Sequence, residues 1–221
     1  MCSSDLGSIL RQLAGHRRLG LHSGLISDET RPLIEAGMFT GESKTIDRGR
    51  HITGMAWGSA TFYRGLEEQT DIAYLAVDYT HDLRKLAAIH QLVSKNSVIE
   101  ADLYGQANAE TINGQQVSAT GGLVDFARGA RAARGGKSIL AMPATAMRGS
   151  RSRIVSQLSS HITTLCRADT DYVVTEYGCA CLFRLSTESR AKALVDIAAP
   201  TYRDQLWLDW ENARSKRVQA E

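Results

Sequence analysis

No stretch of this chain is both apolar enough and long enough to span a bilayer. Nor does it open on a charged segment followed by an apolar one, so nothing marks a secretory signal. Cysteine is scarce: Cys2, Cys166, Cys179 and Cys181 make no disulfide framework, and a reducing cytoplasm is the natural setting. Neither sign of charge dominates. The 26 Lys and Arg residues stand against 24 Asp and Glu, a formal net charge of +2, which removes any general electrostatic case for nucleic acid or a membrane as partner. Internal repeats, low-complexity linkers and a clear domain boundary are missing too. Cys179 and Cys181 form a Cys-x-Cys pair without a second pair or His cluster, so free, buried thiols are expected and no metal. Gly135-Gly136-Lys137-Ser138 ends like a phosphate-binding loop, but Arg131 occupies the glycine position such a loop requires.

What is present is ordinary globular material. The 221 residues are 43% hydrophobic and 23% charged, enough for one or at most two domains with a sizeable core. Strand-like runs at His51–Met55, Ile72–Val77, Val98–Leu103, Ser138–Met142 and Tyr172–Thr175 alternate with helical patterns at Thr61–Glu68, Asp82–Val93, Val124–Ala133 and Thr187–Ala199. Thr45–Asp47 and Ile162–Leu165 have strand character as well, and Ile9–Ala14 reads as the end of a helix. Ser27 or Asp28 is placed to cap a helix over Pro32–Gly37, Pro200 to end the helix before it, and the tail from Tyr202 to Val218 reads as amphipathic helix. The alternation predicts an α/β fold: an open, mostly parallel sheet with flanking helices in a single domain, with ligands at the carboxyl ends of the strands.

The chain is organised around Val117–Leu140. Gly121-Gly122 precedes a helical run rich in Ala and Arg, and Gly135-Gly136 closes it before the next strand. Such pairs mark positive φ or close backbone approach, and a glycine turn at a helix N-terminus presents N–H groups suited to an anion. Two ordinary turns would have the same appearance. Other segments shift the balance: Glu100-x-Asp102-Leu103-x-Gly105-Gln106-x-Asn108-Ala109-Glu110, Gly121-Gly122-x-x-Asp125-Phe126-x-Arg128-Gly129-Ala130, Ser152-Arg153-Ile154-Val155 and Val173-Val174-Thr175-Glu176-Tyr177-Gly178. In this order they resemble the C-terminal half of the acetyl-CoA hydrolase/transferase family, which includes the 4-hydroxybutyrate and succinyl-CoA:acetate CoA-transferases. The resemblance runs from about Leu19 to the tail.

That resemblance implies a CoA-transferase fold and exchange of CoA between small acyl thioesters and carboxylates. CoA would be a substrate, with no permanently bound cofactor. In the family a glutamate attacks the thioester to give an anhydride, the CoA thiolate returns to form a glutamyl-CoA thioester, and an incoming carboxylate takes the CoA. That glutamate belongs to a His-(Ser/Thr)-Glu segment. The matching residues here are His22-Ser23-Gly24, so Gly24 stands at the nucleophile position and cannot supply a carboxylate. A relocated nucleophile at Glu29 is disfavoured.

Glu176 is the best remaining carboxylate: a general base for water, or a loop-holding residue. Asn108 would orient substrate, or serve only as a turn residue. Gly121 and Gly122 would bring backbone donors to the thioester, where one oxyanion donor is worth ~3 kcal/mol, although Ala119 replaces the loop's usual first glycine. Arg128 and Lys137 are candidates for the CoA phosphates, with Arg131 and Arg134 reading more readily as a solvated helix face. A hydrolase with water as acceptor and a non-catalytic CoA-binding protein remain as alternatives to the transferase, and a homo-oligomer is compatible with all three.

The opening residues, Met1-Cys2-Ser3-Ser4-Asp5-Leu6, do not fit the family. Cys-Ser-Ser-Asp-Leu matches one reading frame of a common sequencing adapter, so 1–8 are expected to be a non-native leader and 9–221 a C-terminal domain whose N-terminal domain is missing. Amplifying the locus from genomic DNA checks this: the expected outcome is coding sequence running on upstream in place of residues 1–8, and a native start at Met1 would refute it.

Overall fold

The computed structural model describes residues 15–67, 69–159 and 162–218. The expected leader at 1–8 and the helix end at Ile9–Ala14 lie outside the described residues. Backbone contacts group the chain into two compact units: one takes the residues up to Val93 together with Arg128–Gly136, the other takes Ser94–Ala127 and everything from Lys137 on. The sequence shows no linker between them because one division falls inside a helix, where composition does not change.

In the first unit, β1 (His22–Ser27), β2 (His51–Trp57) and β3 (Ile72–Tyr74) form a parallel sheet in that order. The helices are α1 (Arg31–Glu35), α2 (Ala60–Leu66), α3 (Val77–Thr80) and α4 (Leu83–Ala88). Ile26, Leu33, Ile34, Met38, Phe39, Phe62 and Ile72 make its core. The expected strand at Thr45–Asp47 is a loop. Its β-branched residues find no strand partner; instead Thr45 Oγ1 donates to Ala88 O (2.6 Å) and accepts from His90 N (3.1 Å), and Asp47 takes φ +48°. Neither Ser27 nor Asp28 caps α1. Thr30 holds the N-cap position, and the Asp28 carboxylate accepts instead from Ser59 N (2.9 Å) and Oγ (2.6 Å), bracing the N-terminus of α2. Those two bonds lower the Asp28 pKa.

In the second unit, β4 (Val93–Ser97), β9 (Lys137–Ala141), β13 (Tyr172–Thr175) and β14 (Gly178–Cys181) build a sheet in the order β14-β13-β9-β4. β13 runs parallel to β9 and antiparallel to β14. A second sheet joins β5 (Glu100–Asp102) to β6 (Ala107–Asn108) antiparallel and to β12 (Ile154–Val155) parallel. Two short antiparallel pairs complete the strands: β7 (Thr111–Ile112) with β8 (Gln115–Gln116), and β10 (Thr145–Ala146) with β11 (Arg151–Ser152). Helix α5 (Leu123–Ala132) starts in this unit, and α6 (Thr187–Asp196) and α7 (Pro200–Val218) lie wholly within it. Leu103, Ala107, Leu140, Ile154, Leu165, Val173, Leu182 and Leu194 are fully buried in its core.

The expected mostly parallel α/β arrangement is the one observed. Ile162–Leu165 contributes only the bridge of Leu165 to Ala107 rather than a strand. Pro200 does not end the preceding helix, which stops at Asp196; proline opens α7, where its missing N–H costs nothing. The β7–β8 hairpin turns on Asn113 (φ +52°) and Gly114 (φ +77°), the pair of left-handed residues that a two-residue hairpin favours. Among the described residues, no helix is long and apolar enough to cross a membrane.

One buried cation shapes the first unit. Lys44 donates to Leu21 O (3.2 Å) and Arg50 O (2.8 Å). Burial lowers its pKa from 10.5 to about 8, with Asp47 opposing the shift. Between those values the unfolded chain binds more protons than the folded one, so stability at this position rises with pH through that window. Measured by chemical denaturation, wild type should gain stability relative to Lys44→Met as pH rises from about 8 toward 10.5; a pH-independent difference would refute this.

Candidate functional site

The carboxyl ends of β9 and β13 bring several backbone segments together. β13 ends at Thr175, and a two-residue turn, Glu176-Tyr177, leads into β14. Thr175 Oγ1 donates to Ile197 O (2.6 Å) and accepts from Tyr177 N (3.1 Å), which fixes the turn. The exposed Glu176 side chain reaches back across the strand ends: Oε2 accepts from Ala144 N at 2.7 Å. Ala144 O in turn accepts from Arg153 N at 2.8 Å, within the Ser152–Val155 segment. Glu176 is therefore aimed by one backbone bond while staying open to solvent. Both readings made of it from sequence survive, since it holds a loop and also presents a carboxylate.

Sequence reasoning missed the neighbouring segment. Met147 (φ +51°), Arg148 (φ +56°) and Gly149 (φ +92°) are consecutive left-handed residues between β10 and β11, and Gly149 O accepts from Tyr202 Oη at 2.8 Å. Two non-glycine residues in that region are uncommon. Only the Arg148-Gly149 pair hints at a turn there.

Of the two roles expected of it, orienting substrate or serving as a turn residue, Asn108 is placed for the second. It is fully buried on β6, opposite Glu100. Its Nδ2 donates to Thr111 O (2.9 Å) and Glu100 Oε1 (3.3 Å), and its Oδ1 accepts from Glu110 N (2.9 Å), Thr111 N (3.0 Å) and Thr111 Oγ1 (3.3 Å). Every hydrogen-bonding position of the amide is used inside the protein. Glu100, also buried, accepts from Ser159 N (3.1 Å) and Oγ and lies 3.8 Å from Arg151 Nη2. Asp102, the third polar residue of the hairpin, accepts from Tyr104 N and from Gln106 N and Nε2 at 2.8–3.0 Å. Burial raises its pKa and these bonds pull it back.

The glycine loop agrees with its expected geometry. Gly121 has φ +52° and is exposed, and Gly122 O accepts from Phe126 N (2.9 Å), opening α5. At the other end of that helix, a Cβ on Gly136 would run into Ala130 O, so only glycine fits. Arg128 lies further along α5 on an exposed position.

Lys137 is the first residue of β9, and the register Tyr172↔Ile139 puts it at the amino end of the sheet. Glu176 follows the carboxyl end, about six strand residues or ~20 Å away, so the structure does not bring these two together. Gly24 sits within β1 between Ser23 and Leu25, half-buried and without a side chain. The nearby carboxylates are engaged, Glu29 by Ser27 Oγ (2.7 Å) and Glu35 by Arg31 (2.6 Å). Among the described residues, no group of three His, Cys, Asp or Glu side chains is placed to hold a metal. Cys179 and Cys181 are exposed rather than buried as expected, because they alternate with the inward-facing Ala180 and Leu182.

Parallel strands with a carboxylate held at the carboxyl end of β13 make this an α/β protein with a candidate acidic site there. The chain covers 96% of its length in superposition on 49% of 4-hydroxybutyrate CoA-transferase from Porphyromonas gingivalis, with a TM-score of 0.81 and 36% identity. It superposes on RipA from Yersinia pestis with a TM-score of 0.90 and 36% identity, covering 94% of this chain and 47% of that one. The model of the acetyl-CoA hydrolase/transferase C-terminal domain matches residues 58–209, and the chain belongs to that family. The matched span holds Asn108, Gly121, Gly122, Arg128, Lys137 and Glu176 and leaves Gly24 outside. A similar curated protein is the 4-hydroxybutyrate coenzyme A transferase of Clostridium kluyveri, 37% identical over 200 residues, which are 90% of this chain and 47% of that protein. The chain thus spans about half the length of the curated relatives it matches.

Asn108→Leu should cost about 3 kcal/mol of stability, because it strands buried groups on Glu100, Glu110 and Thr111. Denaturant titration checks this; a loss under about 0.5 kcal/mol would show that the amide network is dispensable.

Proposed function

We propose that this chain works in acyl-CoA chemistry, as part of a CoA-transferase that exchanges CoA between small acyl thioesters and carboxylates. The observation that carries the reading is Glu176: a carboxylate held by the Ala144 N–H at the carboxyl ends of β9 and β13, within the matched family span. Gly121 and Gly122 would offer backbone donors to the thioester oxygen, as an oxyanion site requires. CoA comes and goes as a substrate, no cofactor is resident, and a reducing cytoplasm keeps the thiols free. Residues corresponding to the relatives' other half would complete the site, so activity is expected of a polypeptide that carries both halves.

One observation favours a second reading, hydrolysis. Gly24 has no side chain and so cannot form an acyl-glutamyl anhydride. With water as acceptor, Glu176 would take a proton as the water oxygen adds to the thioester carbonyl. The C–S bond then breaks, and the proton passes to the departing thiolate.

The test is to incubate protein carrying both halves with acetyl-CoA, with and without a short-chain carboxylate, following free thiol and new acyl-CoA by mass. Carboxylate-dependent exchange establishes transfer; thiol release without exchange establishes hydrolysis; CoA binding with neither leaves a binding protein and refutes both. In either active case Glu176→Gln should keep the Ala144 bond, since an amide oxygen also accepts. It should lower turnover by about 10²–10⁴-fold without loss of stability.

A further inference from the structure

The ladder between β10 and β11 splits just beyond the paired residues. Thr145 faces Ser152 in the register, so the next pair is Ala144 with Arg153. A hydrogen-bonded antiparallel pair exchanges two bonds. This pair makes only one of them, Arg153 N to Ala144 O at 2.8 Å. The other is diverted at both ends: Arg153 O accepts from Ala101 N at 2.9 Å, and Ala144 N donates to Glu176 Oε2 at 2.7 Å. The Glu176 carboxylate therefore enters the split at the place that Arg153 O would have held.

Arg153 is half-buried, and its Nε is fully enclosed. Among the described residues, nothing accepts a hydrogen bond from that Nε and no carboxylate pairs with the guanidinium. Its neighbour Arg151 is the contrast. There Nη1 donates to Asn113 Oδ1 (2.6 Å) and Nη2 to Ser159 Oγ (3.2 Å), with Glu100 at 3.8 Å. A cation held partly out of water normally has an acceptor. An arginine stem can be buried for packing alone, but its head then stays in water, which does not account for an enclosed Nε. Glu176 and Arg153 share the Ala144 backbone and yet form no ion pair with each other. The split thus holds a carboxylate and a guanidinium side by side, with the guanidinium unmatched.

We propose that Arg153 binds a small carboxylate at the Glu176 site, one that enters as acceptor or leaves as the acid product. The proposal rests on the acyl-CoA reading of that site. A planar guanidinium fork matches a carboxylate, which accepts two parallel N–H bonds from it. The phosphates of CoA are a poorer match in this position. They lie at the far end of the pantetheine arm from the thioester, whereas Arg153 stands beside the carboxylate that would act on the thioester. The charges are complementary as well. Glu176 alone would repel an incoming anion, and a guanidinium next to it offsets that repulsion. Glu176 then works on the thioester while Arg153 holds the acid.

The test uses protein carrying both halves, as wild type, Arg153→Gln and Arg153→Lys. Exchange between acetyl-CoA and butyrate gives a KM for each substrate. If only hydrolysis occurs, the inhibition constant of the acetate product replaces the butyrate KM. Arg153→Gln should raise the carboxylate constant at least about tenfold while the acetyl-CoA KM changes less than about twofold, the pattern of binding lost to one substrate. Arg153→Lys should recover part of the loss, because the charge remains. A purely structural arginine would move both constants together or neither, and either result overturns the proposal. Independently, phenylglyoxal should label Arg153 in the wild type. Butyrate, but not chloride at equal ionic strength, should slow that labelling when it is mapped by mass; labelling that butyrate does not slow also overturns the proposal. A wild type that turns over no acyl-CoA with either acceptor sinks the acyl-CoA reading instead, and butyrate protection of Arg153 then decides the carboxylate site alone. The same protection decides if a variant fails to fold.

Discussion

Much of the second unit follows from burying the polar groups of the β5–β6 hairpin. Glu100, Asp102 and Asn108 are inside the protein. An unpaired buried carboxylate costs several kcal/mol, so these groups are tolerable only with their partners in place. Asp102 collects the backbone of Tyr104 and Gln106 and closes the turn. Asn108 clamps Glu110 and Thr111, and Glu100 ties in Ser159 and Arg151. The hairpin can then support β12 on its free side, through Ala101 N to Arg153 O and Leu103 N to Val155 O. Removing one partner would leave the rest of the network unsatisfied, which makes this a single cooperative feature rather than a set of separate bonds.

The same reasoning separates structural polarity from chemical polarity. Asn108 ends β6 and Glu176 follows β13, and both look chemical in the sequence. Asn108 is fully engaged, whereas Glu176 accepts one backbone bond and remains exposed. A group can attack, or take a proton, only if part of it is left free. Glu176 meets that condition and Asn108 does not. At Gly24 the side chain is absent altogether.

The fold class was legible because it rests on local pattern. Alternating apolar runs mark β2, β9 and β13, glycines bracket α5, and the helical spacing of Leu83 and Leu86 marks α4. Errors came where tertiary contacts outrank propensity. Thr45 and Ile46 favour a strand but meet none, and Asp28 leaves its own helix to brace the next. The Asn113-Gly114 pair is a hairpin signal that the sequence reading missed. The division into two units was not, because contact between distant segments, rather than composition, defines it.

The sequence by itself determined the family and the α/β class and offered Glu176 as a candidate carboxylate, since these depend on residue identity and order. Only the tertiary structure decided which polar residues are available. It buried Asn108 in a closed network, exposed Cys179 and Cys181 on β14, and set Lys137 at the end of the sheet away from Glu176. Those outcomes depend on strand register and on which face each side chain takes. Register is settled by pairing between segments far apart in the chain, and no local pattern carries it.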